Sequence, residues 1–401
     1  MGSAGGRRRA VVVGAGIGGL AAAAGLTRTG WDVLVLERSP ELRTEGAGIS
    51  LLANAQRSLD RLGVGERVRA RAAVMLPGGD GVRRPSGRRL MPPANPAFVR
   101  RHGLSTAVLL RAELHAALRD AVPPDRIRTG TEVTGVEELA GGGVRVRYRD
   151  ATKPAEVTAD VAVAADGVHS RLRGQLWPTA PGPVYSGHSV WRGVAEVDRR
   201  GEPGGTTWGR GLEFGRMPLA DGRVYWYAVA NTPPGAHAPD EHDRVLRRFG
   251  TWHAPIPALL KATPPDRVLH HDVFELLPPL PGYVVGRTAL LGDAAHAMTS
   301  DLGQGACQAL EDAVVLCAEL ARHDDVPAAL AAYDRSRRPR AQSVVEASHR
   351  MGRTKLRDAW WQVLLRDALM ALVPPRAGEA ALARIGDWHP PELTDEGGTA
   401  R

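Results

Sequence analysis

Gly14, Gly16 and Gly19 stand in Gly-x-Gly-x-x-Gly spacing directly after the apolar run Ala10–Val13, and Glu37 ends the next apolar run, Asp32–Leu36. In that order, strand, glycines, alanine-rich helix to about Thr29, strand, acid, the residues suit a dinucleotide. Gly14 permits the tight turn, Gly16 lets the backbone approach a pyrophosphate, and Gly19 lets helix and strand pack closely. The helix start, from Ile17, offers free N–H groups and partial positive charge to phosphates. Glu37 can accept bonds from a ribose diol. No second glycine set in this context follows. Gly141-Gly142-Gly143 lies before the alternating run Val144–Tyr148 and reads as a hairpin turn. One dinucleotide fold is therefore expected, which argues against plans with a separate nicotinamide domain.

Two further blocks carry polar residues at the ends of buried strands. Val161–Ala165 leads into Asp166-Gly167 and then Ser170 and Arg173. Thr288–Leu291 leads into Gly292-Asp293, followed by Asp301 and by Gly303-Gln304-Gly305-Ala306 at the start of another helix. The three blocks, in this order and at these separations, resemble the single-component flavin monooxygenases related to p-hydroxybenzoate and salicylate hydroxylases. Ala47-Gly48-Ile49 with Gly46 before it, Asn54, Leu62-Gly63 and Leu110-Arg111 with Leu114 match smaller family segments. The likeness spans roughly residues 8 to 345.

The resemblance implies non-covalent FAD, with NAD(P)H as a transient co-substrate and O2 as oxidant. No His or Cys stands in an evident attachment context. Gly14, Gly16, Gly19 and Glu37 would hold the ADP half, and Ile17, Arg38 and Val133 would also contact the cofactor. Arg111 would reach the flavin side, Asp166 would serve the cofactor and passing NAD(P)H, Asp293 would take the ribityl or pyrophosphate region, and Gly48 and Gly292 would also contact the cofactor. The backbone of Gly303, Gln304, Gly305 and Ala306 would face the flavin's pyrimidine edge, where helix N–H donors suit a ring that becomes anionic on reduction. The implied reaction passes one oxygen from a flavin C4a-hydroperoxide to an electron-rich, aromatic or polycyclic small molecule. Epoxidation, or oxidation of an indole or alkene, is the alternative within the family. A flavin-binding regulatory protein without turnover is the alternative outside it. A halogenase is disfavoured, because its Trp-x-Trp-x-Ile-Pro block is missing.

Asp301 precedes the Leu302-Gly303-Gln304-Gly305 turn and so stands beside the expected flavin ring. Urate hydroxylases of this family have an aspartate at the matching place, which suggests a catalytic base. Their substrate-sheet tyrosine matches Tyr225, whereas their partnering arginine falls on Glu213. The plainer reading is that Asp301 caps the helix that follows. The chain departs from the common pattern at Ser300 and Ala53, where proline is usual, and at Asp301 itself, where asparagine is.

These residues need an α/β fold: a Rossmann-type FAD-binding domain with an inserted antiparallel-sheet substrate domain and C-terminal helices. The expected divisions are 8–75, 104–180 and 283–345 for the discontinuous FAD domain, 76–103 and 181–282 for the substrate sheet, 346–389 for the helices, and a mobile tail over 390–401. Val190–Val194, Gly211–Phe214 and Arg223–Val229 read as substrate-sheet strands. Tyr225 and Tyr227 share one face and Trp226 takes the other, so an aromatic wall for a flat substrate and an ordinary sheet core both fit. Trp360, Trp361, Leu364 and Leu365 sit at helical spacing, either packed on the flavin domain or in contact with a second copy. Monomer and homodimer both remain open.

Composition narrows the rest. The 401 residues are 43% hydrophobic and 24% charged, enough for a sizeable core. The net charge is +8, but the cations are spread and no run exceeds Arg7-Arg8-Arg9, which argues against nucleic acid. Of 52 cationic residues only Lys153, Lys261 and Lys355 are lysines. Cys307 and Cys317, ten apart on one helix, are about 15 Å apart along its axis and cannot be bridged. With no Cys/His cluster no metal site is expected, and the chain reads as reduced and cytoplasmic. Arg7–Arg9 and the apolar stretch after it imitate a secretory signal, but the glycine spacing explains them, and no stretch is long enough to span a bilayer. No stable membrane association is expected.

Overall fold

A computed structural model of the chain describes residues 7–42, 47–76, 79–150 and 153–393. Gly46 and residues 394–401 of the expected tail lie outside this set. The first apolar runs build the sheet that holds the glycine turn. Its strand order is Val284–Val285, Thr288–Leu290, Val161–Ala164, Arg9–Val13, Asp32–Leu36, Ile127–Arg128. All neighbours are parallel except the first pair, with Val12 registered between Val163 and Val35. Strands buried on both faces explain the unbroken Val/Ala/Leu runs. The helices Ile17–Arg28 and Gly305–Arg322 pack together over this sheet, and Gly25 lets them approach: a Cβ there would meet Cys317 Sγ at 2.6 Å.

A three-stranded antiparallel sheet, Thr131–Glu138, Val144–Asp150 and Lys153–Ala159, turns at Gly142 and Gly143, both at positive φ. The larger antiparallel sheet runs Leu269–Glu275, Val184–Ala195, Val224–Asn231, Leu212–Pro218, Gly205–Trp208, Val82–Arg83, Arg89–Met91. Its last two strands come from the 76–103 segment, and Val82–Arg83 joins in parallel to Gly205–Trp208. The alternation in the Val224–Asn231 strand places Trp226, with Trp191 and Phe214, in an apolar layer against the helices Glu241–Phe249 and Ile256–Lys261. Trp191 and Trp226 are fully buried there, as sheet core rather than substrate wall.

The helix Val326–Lys355 runs 30 residues through Pro339, so a division after residue 345 falls inside one continuous element. The helix Trp360–Leu372 corrects a sequence expectation: Trp360, Trp361, Leu364 and Leu365 are exposed and do not pack on the flavin domain. Among the described residues no helix is long and apolar enough to cross a membrane.

Candidate active site

The glycine turn separates structural glycines from an open one. Gly14 has φ +98°, and a Cβ there would lie 2.5 Å from Ala165 O; one at Gly19 would lie 1.9 Å from Gly14 O. A Cβ at Gly16 would meet nothing within 4 Å. The chain itself thus requires Gly14 and Gly19, whereas Gly16 borders open space at the start of the Ile17–Arg28 helix. That is the cradle a dinucleotide needs. Glu37 is oriented at its strand end: Oε2 accepts from Ala15 N at 2.7 Å and Oε1 from Ser39 N at 2.9 Å. Arg38, Arg111 and Asp293 are exposed, and Gly305 has open space at its Cβ position. These residues fit FAD, and so does the order of turn, acid and helix start.

Ile17, Val133 and Gln304 differ from the others in that their side chains face inward. Ile17 and Val133 belong to the main core. Gln304 is fully buried, its Oε1 accepting from Asn54 Nδ2 and Gln308 Nε2, both at 3.0 Å. The side chains of all three therefore serve the protein's interior. Asp166 does the work of a cap: Oδ1 accepts from Ser170 Oγ at 2.6 Å and Oδ2 from Leu172 N at 3.2 Å.

Two buried arginines tie the blocks together: Arg173 of the Asp166-Gly167 block, and Arg337, which was not singled out from the sequence. Arg173 donates to Val168 O at 2.7 Å and to Ala294 O at 3.1 Å, joining the Asp166-Gly167 block to the Gly292-Asp293 block. Burial lowers its pKa, against the nearby charge of Asp166. Arg337 pairs with Asp312 at 2.7 Å and with Glu311. Asp312 in turn accepts from Gly292 N at 2.9 Å and contacts His296 Nε2 at 2.5 Å. Burial pushes the Asp312 carboxyl up, but His296, Arg337 and the Gly292 N–H outweigh it and hold it down at about 2. The turn carrying Asp293 is therefore anchored by a permanent anion behind it.

The other wall comes from the large sheet. Tyr225 packs on Gly48, where a Cβ would lie 2.3 Å from the ring. Tyr225 also joins Ala47, Val108 and Leu219 in one apolar cluster, with Leu110 and Tyr227 against it. The tyrosine face of the sheet thus meets the strands Gly48–Leu51 and Thr106–Leu110, which lead to Arg111. The Tyr225 and Tyr227 rings are 6.3 Å apart. Burial raises the pKa of Tyr225, opposed by Arg192, which hydrogen-bonds it. Burial, then the charge of Glu213, raises Tyr227 well above the phenol range. Both hydroxyls stay protonated.

Asp301 does not cap the following helix. Gln304 occupies the cap position, without a side-chain bond, and Asp301 lies in the short turn Ser300–Leu302. Its carboxylate is buried beside Lys355, with Nζ to Oδ1 at 3.0 Å, and Oδ2 makes no hydrogen bond within the described residues. Lys355 also reaches Glu213 Oε2 at 2.7 Å, and Tyr227 donates to Glu213 Oε1 at 3.1 Å. Two carboxylates share one ammonium in a site sealed from water, and the environments push them apart. Burial works to raise Asp301, but Lys355 outweighs it and holds the carboxyl below the usual range. Burial and the Asp301 charge lift Glu213, against Lys355. Burial works to lower Lys355, but its two carboxylates keep it raised. Lys355 was not among the residues singled out from sequence. Its one signal was rarity, a lysine in a chain that uses arginine almost everywhere.

His237, Glu241 and His270 bring three ligand-type atoms within 4.8 Å of one another. They flank Trp191, on the helix side of the sheet, and Glu241 is already satisfied by Trp191 Nε1 at 2.7 Å and Ala238 N at 2.6 Å.

The FAD binding domain family model matches residues 7–348. The chain is similar to an aurachin C monooxygenase/isomerase from Stigmatella aurantiaca, 37% identical over 95% of this chain and 98% of that one. It is similar to an FAD-dependent urate hydroxylase from Klebsiella pneumoniae, 35% identical over 89% of this chain and 94% of the other. Among solved structures, Klebsiella pneumoniae HpxO complexed with FAD and uric acid superposes with a TM-score of 0.86 at 30% identity, covering 94% of this chain and 96% of that one.

Proposed function

The chain belongs to the FAD binding domain family and is an FAD-dependent monooxygenase, and on that premise we propose that it uses NAD(P)H and O2 to hydroxylate an electron-rich aromatic small molecule at the junction of Tyr225, Gly48 and Asp301. The observation that supports the reading is the contact of Tyr225 with Gly48, which joins the tyrosine face of the large sheet to the strand Gly48–Leu51, where the resemblance expects cofactor contacts. FAD, when bound, supplies the oxygen activation. The protein's own residues bind, orient and manage protons. Gly14, Gly16, Gly19, Glu37 and Asp293 would hold the cofactor, without a covalent bond.

Asp301 is the proposed proton acceptor. Electrophilic hydroxylation is faster on a deprotonated phenol or heterocycle, and a positioned base contributes about 10²–10⁴-fold. Lys355 keeps Asp301 ionised. Tyr225, protonated and buried on Gly48, orients the substrate's oxygen or nitrogen. The buried layer around both excludes water from the reacting atoms.

The charge balance bears on the substrate. Glu213 and Asp301 share the one ammonium of Lys355, and Arg192 stands on the other side of the site against Tyr225. An N–H heterocycle or uncharged phenol adds no anion beside Glu213 and Asp301, whereas a benzoate would need Arg192 as its counter-charge. The test is a panel of phenols, purines, indoles and benzoates incubated with the FAD-loaded enzyme, following NAD(P)H loss and product mass under ¹⁸O2. One labelled oxygen in a neutral aromatic product supports the reading. NAD(P)H loss that no compound stimulates, with peroxide as the product, would overturn it.

A further inference from the structure

The helix Trp360–Leu372 is turned inside out. Trp360, Trp361, Leu364, Leu365, Leu369 and Leu372 are 52–77% exposed and fall on one side of it. Its two charged residues, Arg366 and Asp367, face inward and are buried. This orientation is locked. Arg366 pairs with Asp367 at 2.8 Å and donates to Lys355 O at 2.6 Å and Gly209 O at 3.1 Å, while Arg84 reaches Asp367 at 2.9 Å. Rolling the helix over to hide its apolar side would break the three contacts to Lys355, Gly209 and Arg84 and leave Arg84 unpaired. The apolar face is held outward by the interior of the molecule.

Six side chains of this size, each more than half exposed, leave on the order of 600 Å² of apolar surface in water. A monomer's largest patch is about 300–600 Å², and each partner of a stable dimer buries about 800 Å². We propose that this face is an isologous dimer interface, on which the helix Trp360–Leu372 packs antiparallel against the same helix of a second copy. The two-fold sets Trp360 and Trp361 of one copy against Leu369 and Leu372 of the other, large against small. The stripe's spacing of three and four residues suits ridge-into-groove packing. The face carries no cation of its own, since Arg366 is turned inward and neutralised; the exposed charges flanking the helix are Arg357 and Asp358, of opposite sign, before it and Arg376 beyond its end. Helices that lie on anionic bilayers use lysine and arginine beside the apolar face, so a second copy fits better than a lipid surface.

Sedimentation velocity on the FAD-loaded protein at micromolar concentrations tests this. Wild type is expected at twice the chain mass. Leu365→Glu/Leu369→Glu is expected at the chain mass, with flavin absorbance and far-ultraviolet circular dichroism unchanged. If the double variant fails to fold, Leu372→Glu alone, at the most exposed position, should raise the dimer dissociation constant at least about tenfold. Monomeric wild type throughout the range, or variants that keep the dimer mass, overturns the proposal. Wild type that is monomeric and co-sediments with phosphatidylglycerol vesicles overturns it as well and assigns the face to lipid.

Discussion

Lys355, at the end of the long helix Val326–Lys355, reaches Asp301 across 3.0 Å, and the approach depends on Gly352 one turn earlier, where a Cβ would lie 2.5 Å from Asp301 Oδ2. The same ammonium holds Glu213 on the substrate sheet. One buried cation therefore couples the C-terminal helix, the turn before the flavin helix and the sheet that carries Tyr225.

Removing that cation should be costly. Lys355→Met leaves two carboxylates buried without a counter-charge, and breaking such a pair costs about 3–5 kcal/mol. Denaturant unfolding of wild type, Lys355→Met and Lys355→Met/Glu213→Gln checks this, with the double variant recovering part of the loss. An unchanged midpoint in Lys355→Met would show that the pair holds nothing together.

Asp301→Asn keeps the shape and removes the proton acceptor. FAD content and fold should survive while hydroxylation falls at least about a hundredfold. The deficit should shrink at high pH for substrates that ionise unaided. Wild-type turnover in this variant would sink the role of base.

Asp293→Ala is expected to weaken FAD binding at least about tenfold, at about 1.5–3 kcal/mol per charged hydrogen bond lost. Flavin retained after dialysis, compared with wild type, measures it. The wild-type flavin should also separate entirely from acid-precipitated protein. Colour in the pellet would contradict a non-covalent cofactor.

The glycine turn offers a paired contrast. Gly19→Ala drives a Cβ against Gly14 O and should destabilise the protein by about 1–3 kcal/mol. Gly16→Val meets no protein atom near its Cβ and should leave the apoprotein's thermal midpoint close to wild type while FAD binding falls. Equal destabilisation by both would mean that Gly16 is structural too.

Acid sensitivity follows from Asp312. Its folded pKa, about 2, lies below that of an unfolded aspartate. The stability it contributes is complete above the unfolded value and is lost as pH falls through the folded one. Between about pH 4 and pH 2 the unfolding free energy of wild type should decline more steeply than that of Asp312→Asn.

The local pattern of the chain was sufficient to place the glycine turn and the acid at the next strand end. Gly14, Gly16, Gly19 and Glu37 lie within thirty residues, and period and spacing record such geometry directly. The resemblance to flavin monooxygenases rested on the same kind of local block. The substrate half was decided by contacts between distant segments. Tyr225 and Trp226 are neighbours of opposite fate, and only the packing of Gly48 on one face and the helices Glu241–Phe249 and Ile256–Lys261 on the other says which lies in the sheet core. Asp301 looked like a helix cap because an acid before a helix usually is one. Its true partner is 54 residues away, and a lysine's reach across a fold leaves no periodic trace in sequence. The helix Trp360–Leu372 reads as ordinary amphipathic sequence, yet its apolar side faces out because Arg366 and Asp367 find partners from Arg84, Gly209 and Lys355 inside. Spacing specifies which residues share a face, and the tertiary partners specify where that face points.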